Sequence, residues 1–232
     1  MKKVFYIVFF INFTFFSSLA NASGDFKKMC LQSMRNPELV ITTSYGNLEY
    51  DNTKSRRTIT RMHKNQHKNR APVQGLLNGL STFEYTLNIK FNLKKQTLYS
   101  GVTCVYPSKV TLNIGAGENP KIYIAKDYKE GTCMYDLVLR HEQTHQQINQ
   151  SVLEYYLPII KERMLEVVRK NAVAGKNYDI SMGMAKNELK DKYLVAMEAL
   201  LDEIRAETEA EQMKLDNDKN YDYESNICAN KN

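Results

Sequence analysis

The stretch LVLRHEQTHQQINQSVLEYYLPII, residues 137–160, decides the fold of the second half of this chain. Its apolar residues and both of its histidines recur at steps of three and four, which is the period of one face of an α-helix. The members of this stripe are Val138, His141, His145, Ile148, Val152, Tyr155 and Ile159. We expect a helix that begins after Gly131, kinks at Pro158, which lacks a backbone N–H, and ends near Asn171.

A second helical pattern follows a break at residues 174–177 and covers about 184–215. Its stripe is Leu189, Tyr193, Met197, Leu200, Ile204, Glu207, Glu211 and Leu215. The two helices would form a long hairpin over residues 133–215. Residues 216–232 are mostly polar and predict an irregular C-terminal tail.

The chain ahead of this hairpin has the alternation that is typical of strands. Residues 83–92, FEYTLNIKFN, alternate between apolar and polar side chains, which indicates a half-buried strand. Further strands are predicted at 37–51 (one or two strands), at 102–115 (two strands around a turn at Pro107-Ser108) and at 121–125. The sequence therefore predicts an α+β fold in which a small antiparallel sheet within residues 37–125 precedes the two-helix hairpin.

The first 22 residues have the composition of a secretory signal peptide. Two lysines precede an almost wholly apolar run at residues 4–16, and Ala20 and Ala22 form a small-residue cleavage site. We expect cleavage after Ala22, which leaves residues 23–232 as a single domain in the periplasm or outside a bacterial cell. An uncleaved anchor is the alternative, but the run is shorter than the roughly 20 residues that span a bilayer. No other stretch predicts a membrane span, so we expect none after cleavage.

Four cysteines, at positions 30, 104, 133 and 228, remain after that cleavage. An even number in an exported chain predicts two disulfides, and three pairings are possible. We favour Cys104–Cys133, which would join a strand to the start of the first long helix, together with Cys30–Cys228, which would join the two ends of the domain. Four free or metal-binding thiols are the alternative, but the chain has no Cys-x-x-Cys motif.

A basic segment, KSRRTITRMHKNQHKNR at residues 54–70, holds seven lysines and arginines and two histidines. It is typical of a solvated loop, or of a surface that binds an anionic polymer of the cell envelope. His63 and His67 are four residues apart, but no carboxylate or cysteine lies near them in sequence, so we expect no metal there. The formal net charge of +6 does not require a nucleic acid partner.

The motif His141-Glu142-Gln143-Thr144-His145 indicates a metal centre on the first long helix. A spacing of four residues places the two imidazoles one above the other, so that both can bind one zinc ion. Glu142 is rotated by about 100° from His141, beside the metal rather than on it. Zinc lowers the pKa of its water to about 7, and Glu142 would take the proton as general base. Two buried imidazoles that merely fill the core are the alternative.

The third ligand is expected on the second helix. The six residues after His145, QQINQS, lack the glycine of the longer zinc-binding motif, which leaves an acidic residue of a later helix. A hairpin that folds back at Asn177 with arms of equal length would place residues near 209 opposite His145. The candidates, in order of preference, are Glu207, Glu211 and Asp216. The alternative is that ETEAEQ, residues 207–212, is an ordinary solvated helix end.

On these residues the chain resembles a zincin metallopeptidase whose third ligand is a glutamate. It resembles more distantly a bacterial family described as secreted zinc-dependent proteases, over about residues 81–225. That family has strands, then a long helix that opens with His-Glu-x-x-His, then a second helix that ends in an acidic Tyr-Asp-type motif. Leu215-Asp216 and Tyr221-Asp222 both match this ending in part, without the His-Gly that usually follows it. The resemblance implies a zincin-like domain that hydrolyses a peptide bond.

The sequence therefore predicts an exported zinc metallopeptidase that acts on a protein or peptide. Zinc would be bound by His141, His145 and Glu207, with Glu142 as the catalytic residue. A tyrosine could stabilise the tetrahedral oxyanion, and the candidates are Tyr221, Tyr223 and Tyr155. Two alternatives remain: a hydrolase of peptidoglycan amides that uses the same metal site, and a binding protein without catalytic activity whose helical hairpin packs against a partner.

Overall fold

A computed structural model describes residues 15–66, 75–176 and 180–229. In chain order these ranges form α1 (Phe15–Ser33), β1 (Glu38–Ser44), β2 (Glu49–Asp51), α2 (Arg56–Gln66), β3 (Gly79–Thr82), β4 (Tyr85–Thr97), β5 (Val102–Ala116), β6 (Lys121–Ile124), α3 (Cys133–Arg169), β7 (Val173–Lys176), α4 (Met182–Leu215) and α5 (Asp218–Ala229). Most strands precede the two longest helices, α3 and α4. The predicted α+β class and the long helical hairpin are confirmed.

The strands form two sheets. The first has the order β1–β5–β4, and β7 pairs antiparallel with β5. The second has the order β2–β6–β3, with Glu49 opposite Lys121 in a parallel pair and Gly79 opposite Ile124 in an antiparallel pair. Within the described ranges β3 lies at the edge of this second sheet, and this edge borders the site described below.

The chain folds into two compact units. Unit 1 comprises Met1–Val40, Lys90–Thr111 and Arg163–Ala196, and unit 2 comprises Ile41–Ile89, Leu112–Glu162 and Met197–Asn232. Strands β4 and β5 and helices α3 and α4 contribute residues to both, so no single cut in the sequence separates the units. Every residue that the sequence indicated as a metal ligand or catalytic group belongs to unit 2.

The core of unit 1 surrounds a disulfide. Cys30 of α1 and Cys104 of β5 are fully buried and pack with the buried residues Val102, Tyr106 and Ala172. A second buried cluster of this unit consists of Val105, Ile180 and Ala185. Apolar burial on both sides of β5 therefore holds unit 1 together.

The three-stranded sheet of unit 2 packs against a helix on each face. Ile122 and Ile124 of β6 pack against Val138 of α3. Leu80 of β3 lies opposite Tyr123, between the two isoleucines in sequence, so its side chain is on the other face of the sheet. There it packs with Ile59 of α2. This packing holds the start of α3 against β6 and β3, so the His-Glu-x-x-His motif lies beside the edge strand.

Two disulfides form, as predicted, but the pairing differs. Cys30 pairs with Cys104 and Cys133 pairs with Cys228, at Cα–Cα distances of 5.5 and 5.7 Å. The predicted pairs Cys104–Cys133 and Cys30–Cys228 are wrong. The reason is that Cys104 lies in the core of unit 1, whereas the end of the chain returns to the start of α3 in unit 2.

Four local expectations also differ from the structure. Strand β5 continues through Pro107 instead of turning there, since proline is compatible with an extended backbone and removes one N–H. The predicted break at 174–177 includes β7, and the predicted irregular tail contains α5. The basic segment forms α2, because Ile59 is buried against β3, while residues 67–70 of that segment lie outside the described residues.

The predicted signal peptide is described in part. Residues 1–14 lie outside the described residues, and residues 15–22 belong to α1, which continues to Ser33. Cleavage after Ala22 stays a prediction. In the described part of the chain no helix is both long enough and apolar enough to cross a membrane.

Candidate metal centre

His141 and His145 lie one turn apart on α3, as their spacing predicts. Each is 8 % exposed, and their rings are 4.9 Å apart in an edge-to-face arrangement. Their Nε2 atoms are 3.2 Å apart. Two imidazole nitrogens at this separation can bind one ion from adjacent corners of its coordination sphere.

Asp216 completes a group of three ligand atoms. It lies in the bend that follows α4, and its Oδ1 is 3.1 Å from Nε2 of His141 and 3.2 Å from Nε2 of His145. The three atoms form a nearly equilateral triangle. Nitrogen and oxygen ligands lie about 2.0–2.2 Å from zinc, so two of them at a tetrahedral ion are separated by roughly 3.3 Å. His141, His145 and Asp216 could therefore hold a metal ion.

Glu207 and Glu211, which the sequence favoured over Asp216, do not lie with the imidazoles. Both line a separate cleft between α3 and α4, which Tyr155 of α3 also lines. Glu207 is exposed, and Glu211 forms an ion pair with Lys214. Asp216, the last of the three candidates, therefore joins the two histidines in place of Glu207 and Glu211.

The register between α3 and α4 explains this difference. The side chain of Gln212 donates a hydrogen bond of 2.8 Å to Oδ1 of Asn149, which aligns the two antiparallel helices at this pair. His145 precedes Asn149 by four residues on α3, and Asp216 follows Gln212 by four residues, just past the end of α4. The two therefore lie opposite each other. A symmetric hairpin would place residue 209 opposite His145, about two helical turns before the residue that the structure has there. The arms are unequal because the connection contains β7, which pairs with β5 before α4 begins.

Glu142 is held between α3 and the edge strand β3. It is 6 % exposed, and the backbone N–H of Ser81 donates a hydrogen bond to its carboxylate. Burial raises the pKa of Glu142 to about 7, although the charges of the two neighbouring histidines oppose this shift. The carboxylate lies beside the three-ligand group and is not part of it.

Gly79 of β3 allows this close contact. A Cβ atom at position 79 would lie 2.5 Å from Oε1 of Glu142 and 2.7 Å from Cγ1 of Val138. Any larger residue would therefore displace Glu142 or push β3 away from α3. Sequence reasoning missed β3 and this glycine, because the four residues GLST are too few to show strand alternation.

Helix α5 places a second carboxylate on His141. Nδ1 of His141 is 3.2 Å from both carboxylate oxygens of Glu224, which also accepts a hydrogen bond from the side chain of Asn220. A carboxylate on the outer nitrogen is what orients a metal-binding imidazole in known sites. Burial lowers the pKa of His141, but the surrounding carboxylates, first of all that of Asp216, outweigh burial and raise it to about 9. In contrast, Nδ1 of His145 has no hydrogen-bond partner among the described residues.

Tyr221 of α5 contacts both a histidine and the aspartate. Its hydroxyl donates a hydrogen bond of 2.8 Å to Oδ1 of Asp216, and its ring stacks on that of His141 at a centroid distance of 5.5 Å. Burial acts to raise the pKa of the Asp216 carboxyl, but hydrogen bonds to the two histidines hold it well below its usual range. Of the three tyrosines that the sequence nominated, Tyr221 lies at the ligand group, whereas Tyr155 and Tyr223 are largely exposed.

Helix α5 depends on its cap and on a disulfide. The side-chain oxygen of Asn217 accepts a hydrogen bond of 2.9 Å from the backbone N–H of Asn220, which is a typical helix cap. The disulfide Cys133–Cys228 joins the other end of α5 to the start of α3. No apolar side chain of α5 that the structure describes is fully buried.

Two signals in the sequence point to α5, although its role was missed. The first is the capping residue Asn217. The second is a helical spacing of three, four and seven residues among Tyr221, Glu224 and Cys228, which places them on one face. Sequence reasoning did not nominate Glu224, since nothing local shows that this face returns to His141.

Two depressions open at the ligand group. The site cleft, of about 210 Å³, is lined by the three ligand residues and by His63 of α2. The apolar cavity, of about 400 Å³, is lined on one side by His141 and Glu142. His63, which the sequence excluded as a ligand, is outside the three-ligand group and lies in the wall of the site cleft.

No known protein family, no curated protein and no solved structure matches this chain. The class of protein therefore depends on the site alone. That site is a group of two buried imidazoles and one exposed carboxylate that could hold a metal ion, with a buried glutamate beside it.

Proposed function

We propose that this protein is an exported zinc-dependent peptidase. The observation that carries the proposal is the triangle of His141 Nε2, His145 Nε2 and Asp216 Oδ1, whose sides of 3.1–3.2 Å fit one face of a tetrahedral ion. Three protein ligands with an open fourth position are typical of catalytic zinc sites, whereas structural sites are closed by four. The carboxylate of Glu224 on Nδ1 of His141 adds negative charge beside this group, which favours a cation.

Glu142 is the proton carrier of the proposed reaction. Zinc, when bound, would supply a Lewis acid that polarises the scissile carbonyl and acidifies water. Glu142 takes a proton from the attacking water and donates it to the leaving amine. Its contact with Gly79 and the hydrogen bond from Ser81 keep the carboxylate in one orientation for both transfers.

Two residues of α5 support the reaction. Glu224 orients the ring of His141 through Nδ1, so that Nε2 faces the site. Tyr221 lines the site cleft, and its hydroxyl proton, which Asp216 accepts in the structure, would turn to the oxyanion that forms at the attacked carbonyl.

The edge strand favours a peptide as the substrate. Strand β3 pairs with β6 on one side, and its residues Gly79 and Ser81 line the site cleft. An extended peptide that adds to such an edge would have its carbonyl groups beside Glu142, and it would replace the hydrogen bonds that the Ser81 N–H and the Thr82 carbonyl now form with side chains of α3.

Export is supported by the cysteines. All four form disulfides, which persist in oxidising compartments outside the cytoplasm. This pattern is compatible with the signal peptide that the first 22 residues predict.

Metal content measured by mass spectrometry tests the ligand group. We expect about one zinc ion per wild-type chain, as three protein ligands predict. Asp216→Ala should lose this zinc, whereas Glu207→Ala, which removes an exposed acid from α4, should keep it. A wild-type chain that takes up no stoichiometric zinc after zinc addition and dialysis would refute the proposal.

Hydrolysis is tested with the zinc-loaded wild type beside Glu142→Gln on a mixture of unfolded proteins and peptides. We expect Glu142→Gln to lower kcat by about 100-fold to 10,000-fold, because it removes the general base, and to leave zinc content unchanged. Equal turnover by the two zinc-loaded proteins would exclude Glu142 as the proton carrier.

A further inference from the structure

The apolar cavity beside the ligand group has a composition unlike that of the site cleft. Its volume is about 400 Å³, and His141 and Glu142 form the wall that it shares with the metal centre. Five apolar residues line it from two segments, the residues just before β3 and the first turns of α3, and the rest of the lining is Asn78, Gly79 and three residues of α5. These apolar residues are Leu76, Leu77, Met134, Leu137 and Val138.

The apolar part of this lining suits an apolar group. Leu137 and Val138 are buried in α3, so this wall is rigid, whereas Leu76 is 47 % exposed at the mouth. A volume of this size lies at the lower end of the range of ligand pockets, and it accommodates one large side chain rather than an extended polymer. Burial of an apolar side chain here removes it from water and contributes binding energy in proportion to its area.

Acidic groups of α5 also line the cavity. Asp222 and Glu224 of α5 line the cavity beside Tyr221. A carboxylate of a substrate would meet these like charges and would lose hydration among the leucines, and both effects oppose its binding. The cavity therefore selects against acidic side chains as well as for apolar ones.

We infer that the apolar cavity binds the side chain of a substrate residue that flanks the cleaved bond. The substrate is then a polypeptide with a large apolar residue, such as leucine or phenylalanine, at that position. The inference rests on the proposed peptidase function and adds the substrate class. It depends on the contact between the cavity and the ligand group, because Glu142, the proton carrier of the proposed reaction, also forms part of the cavity wall.

Cleavage of a peptide series tests the preference. One parent peptide is varied at a single position through Gly, Ala, Leu, Phe and Asp, and kcat/KM is measured with the zinc-loaded wild type. We expect the leucine and phenylalanine peptides to exceed the glycine peptide by about 10-fold or more, with the aspartate peptide lowest. Cleavage of all five at similar rates would overturn the inference and leave the peptidase proposal standing.

A matched pair of leucine substitutions locates the preference in the cavity. Leu76→Asp puts a charge in the mouth, and Leu48→Asp puts the same charge on another exposed leucine of unit 2 that does not line the cavity. We expect Leu76→Asp to lower kcat/KM for the leucine and phenylalanine peptides by about 10-fold and to change the glycine peptide little, and Leu48→Asp to behave as wild type. Equal effects of the two variants would overturn the inference.

Binding without turnover gives a second readout. The chain contains no tryptophan, so a tryptophan placed at the varied position of the peptide reports its own burial by fluorescence. We expect a blue shift with zinc-loaded Glu142→Gln and a weaker one when Leu76→Asp is added. A zinc-loaded wild type that releases fragments from peptidoglycan but cleaves no peptide would overturn the polypeptide assignment, and one that hydrolyses neither would overturn the proposed function with it.

Discussion

The disulfide of unit 1 and the disulfide of unit 2 lie in different surroundings. Cys30–Cys104 joins α1 to β5 inside a cluster of apolar side chains, and both of its cysteines are fully buried. Cys133–Cys228 joins α3 to α5 and is partly exposed. The first crosslinks a core that apolar burial already holds. The second attaches a helix that has no fully buried apolar side chain among its described residues.

The two disulfides therefore affect different properties: one the stability of unit 1, the other the geometry of the site in unit 2. Asp216, Tyr221 and Glu224 all reach the histidines from the bend before α5 or from α5 itself. Polar contacts alone place that helix weakly, because each hydrogen bond contributes about 1 kcal/mol net. The Cys133–Cys228 disulfide therefore holds Asp216 and the carboxylate partner of His141 in position, whereas Cys30–Cys104 contributes to the stability of unit 1.

The largest expected effect comes from removal of the disulfide of unit 2. In Cys133→Ser/Cys228→Ser we expect zinc affinity to fall by at least about 100-fold, because α5 and with it Asp216, Tyr221 and Glu224 are no longer held at the histidines. Zinc affinity is measured by competition with a chromophoric chelator. In Cys30→Ser/Cys104→Ser, the matched control, zinc affinity should be retained at low temperature while the free energy of unfolding in urea falls by about 2–5 kcal/mol. Equal losses of zinc affinity in the two variants would contradict the comparison.

A smaller effect is expected from the carboxylate behind His141. Glu224→Gln keeps the shape of the side chain and removes the charge that faces Nδ1, so zinc affinity should fall by about 10-fold to 100-fold without unfolding the protein. The same chelator competition measures it. Glu207→Gln on the exposed face of α4 is the control and should leave zinc affinity unchanged. An unchanged affinity in Glu224→Gln would show that Glu224 does not carry the effect of the disulfide on zinc binding.

Two glycines sharpen the contrast between the units. Gly79→Ala in unit 2 places a methyl group against Glu142 and Val138, so we expect a loss of about 1–3 kcal/mol in unfolding free energy and a fall in kcat that exceeds any change in KM. Gly183→Ala in unit 1 meets nothing closer than 3.7 Å near the start of α4 and should stabilise the helix by about 0.5–1 kcal/mol. Urea denaturation and steady-state kinetics measure both. Full activity in Gly79→Ala would mean that the orientation of Glu142 does not depend on β3.

The smallest expected effect concerns a single hydroxyl. Tyr221→Phe removes the hydrogen bond to Asp216 and keeps the ring that stacks on His141, so zinc affinity should fall by about 1 kcal/mol, or roughly fivefold. Tyr223→Phe, on a largely exposed tyrosine of the same helix, is the control. If Tyr221→Phe lowers kcat far more than zinc affinity, the hydroxyl acts on the substrate oxyanion as well as on Asp216.

Local patterns in the sequence predicted the parts of the site that lie on one helix. His141, Glu142 and His145 fall where the sequence places them, because a spacing of four residues puts two side chains on one face of any α-helix. The alternation of residues 83–92 identified the strand that became β4, and the even number of cysteines after a predicted signal peptide predicted two disulfides. These conclusions need no knowledge of what packs against what.

The tertiary structure decided everything that depends on contacts between distant segments. Asp216 rather than Glu207 meets the histidines because the connection through β7 sets the register of α4 on α3, and a pattern within one helix carries no information on that register. The pairing of the cysteines, the close approach of β3 at Gly79 and the return of Glu224 to His141 have the same origin. Sequence periodicity specifies which face of a helix is buried, and the length and path of the connections specify which residue lies opposite it.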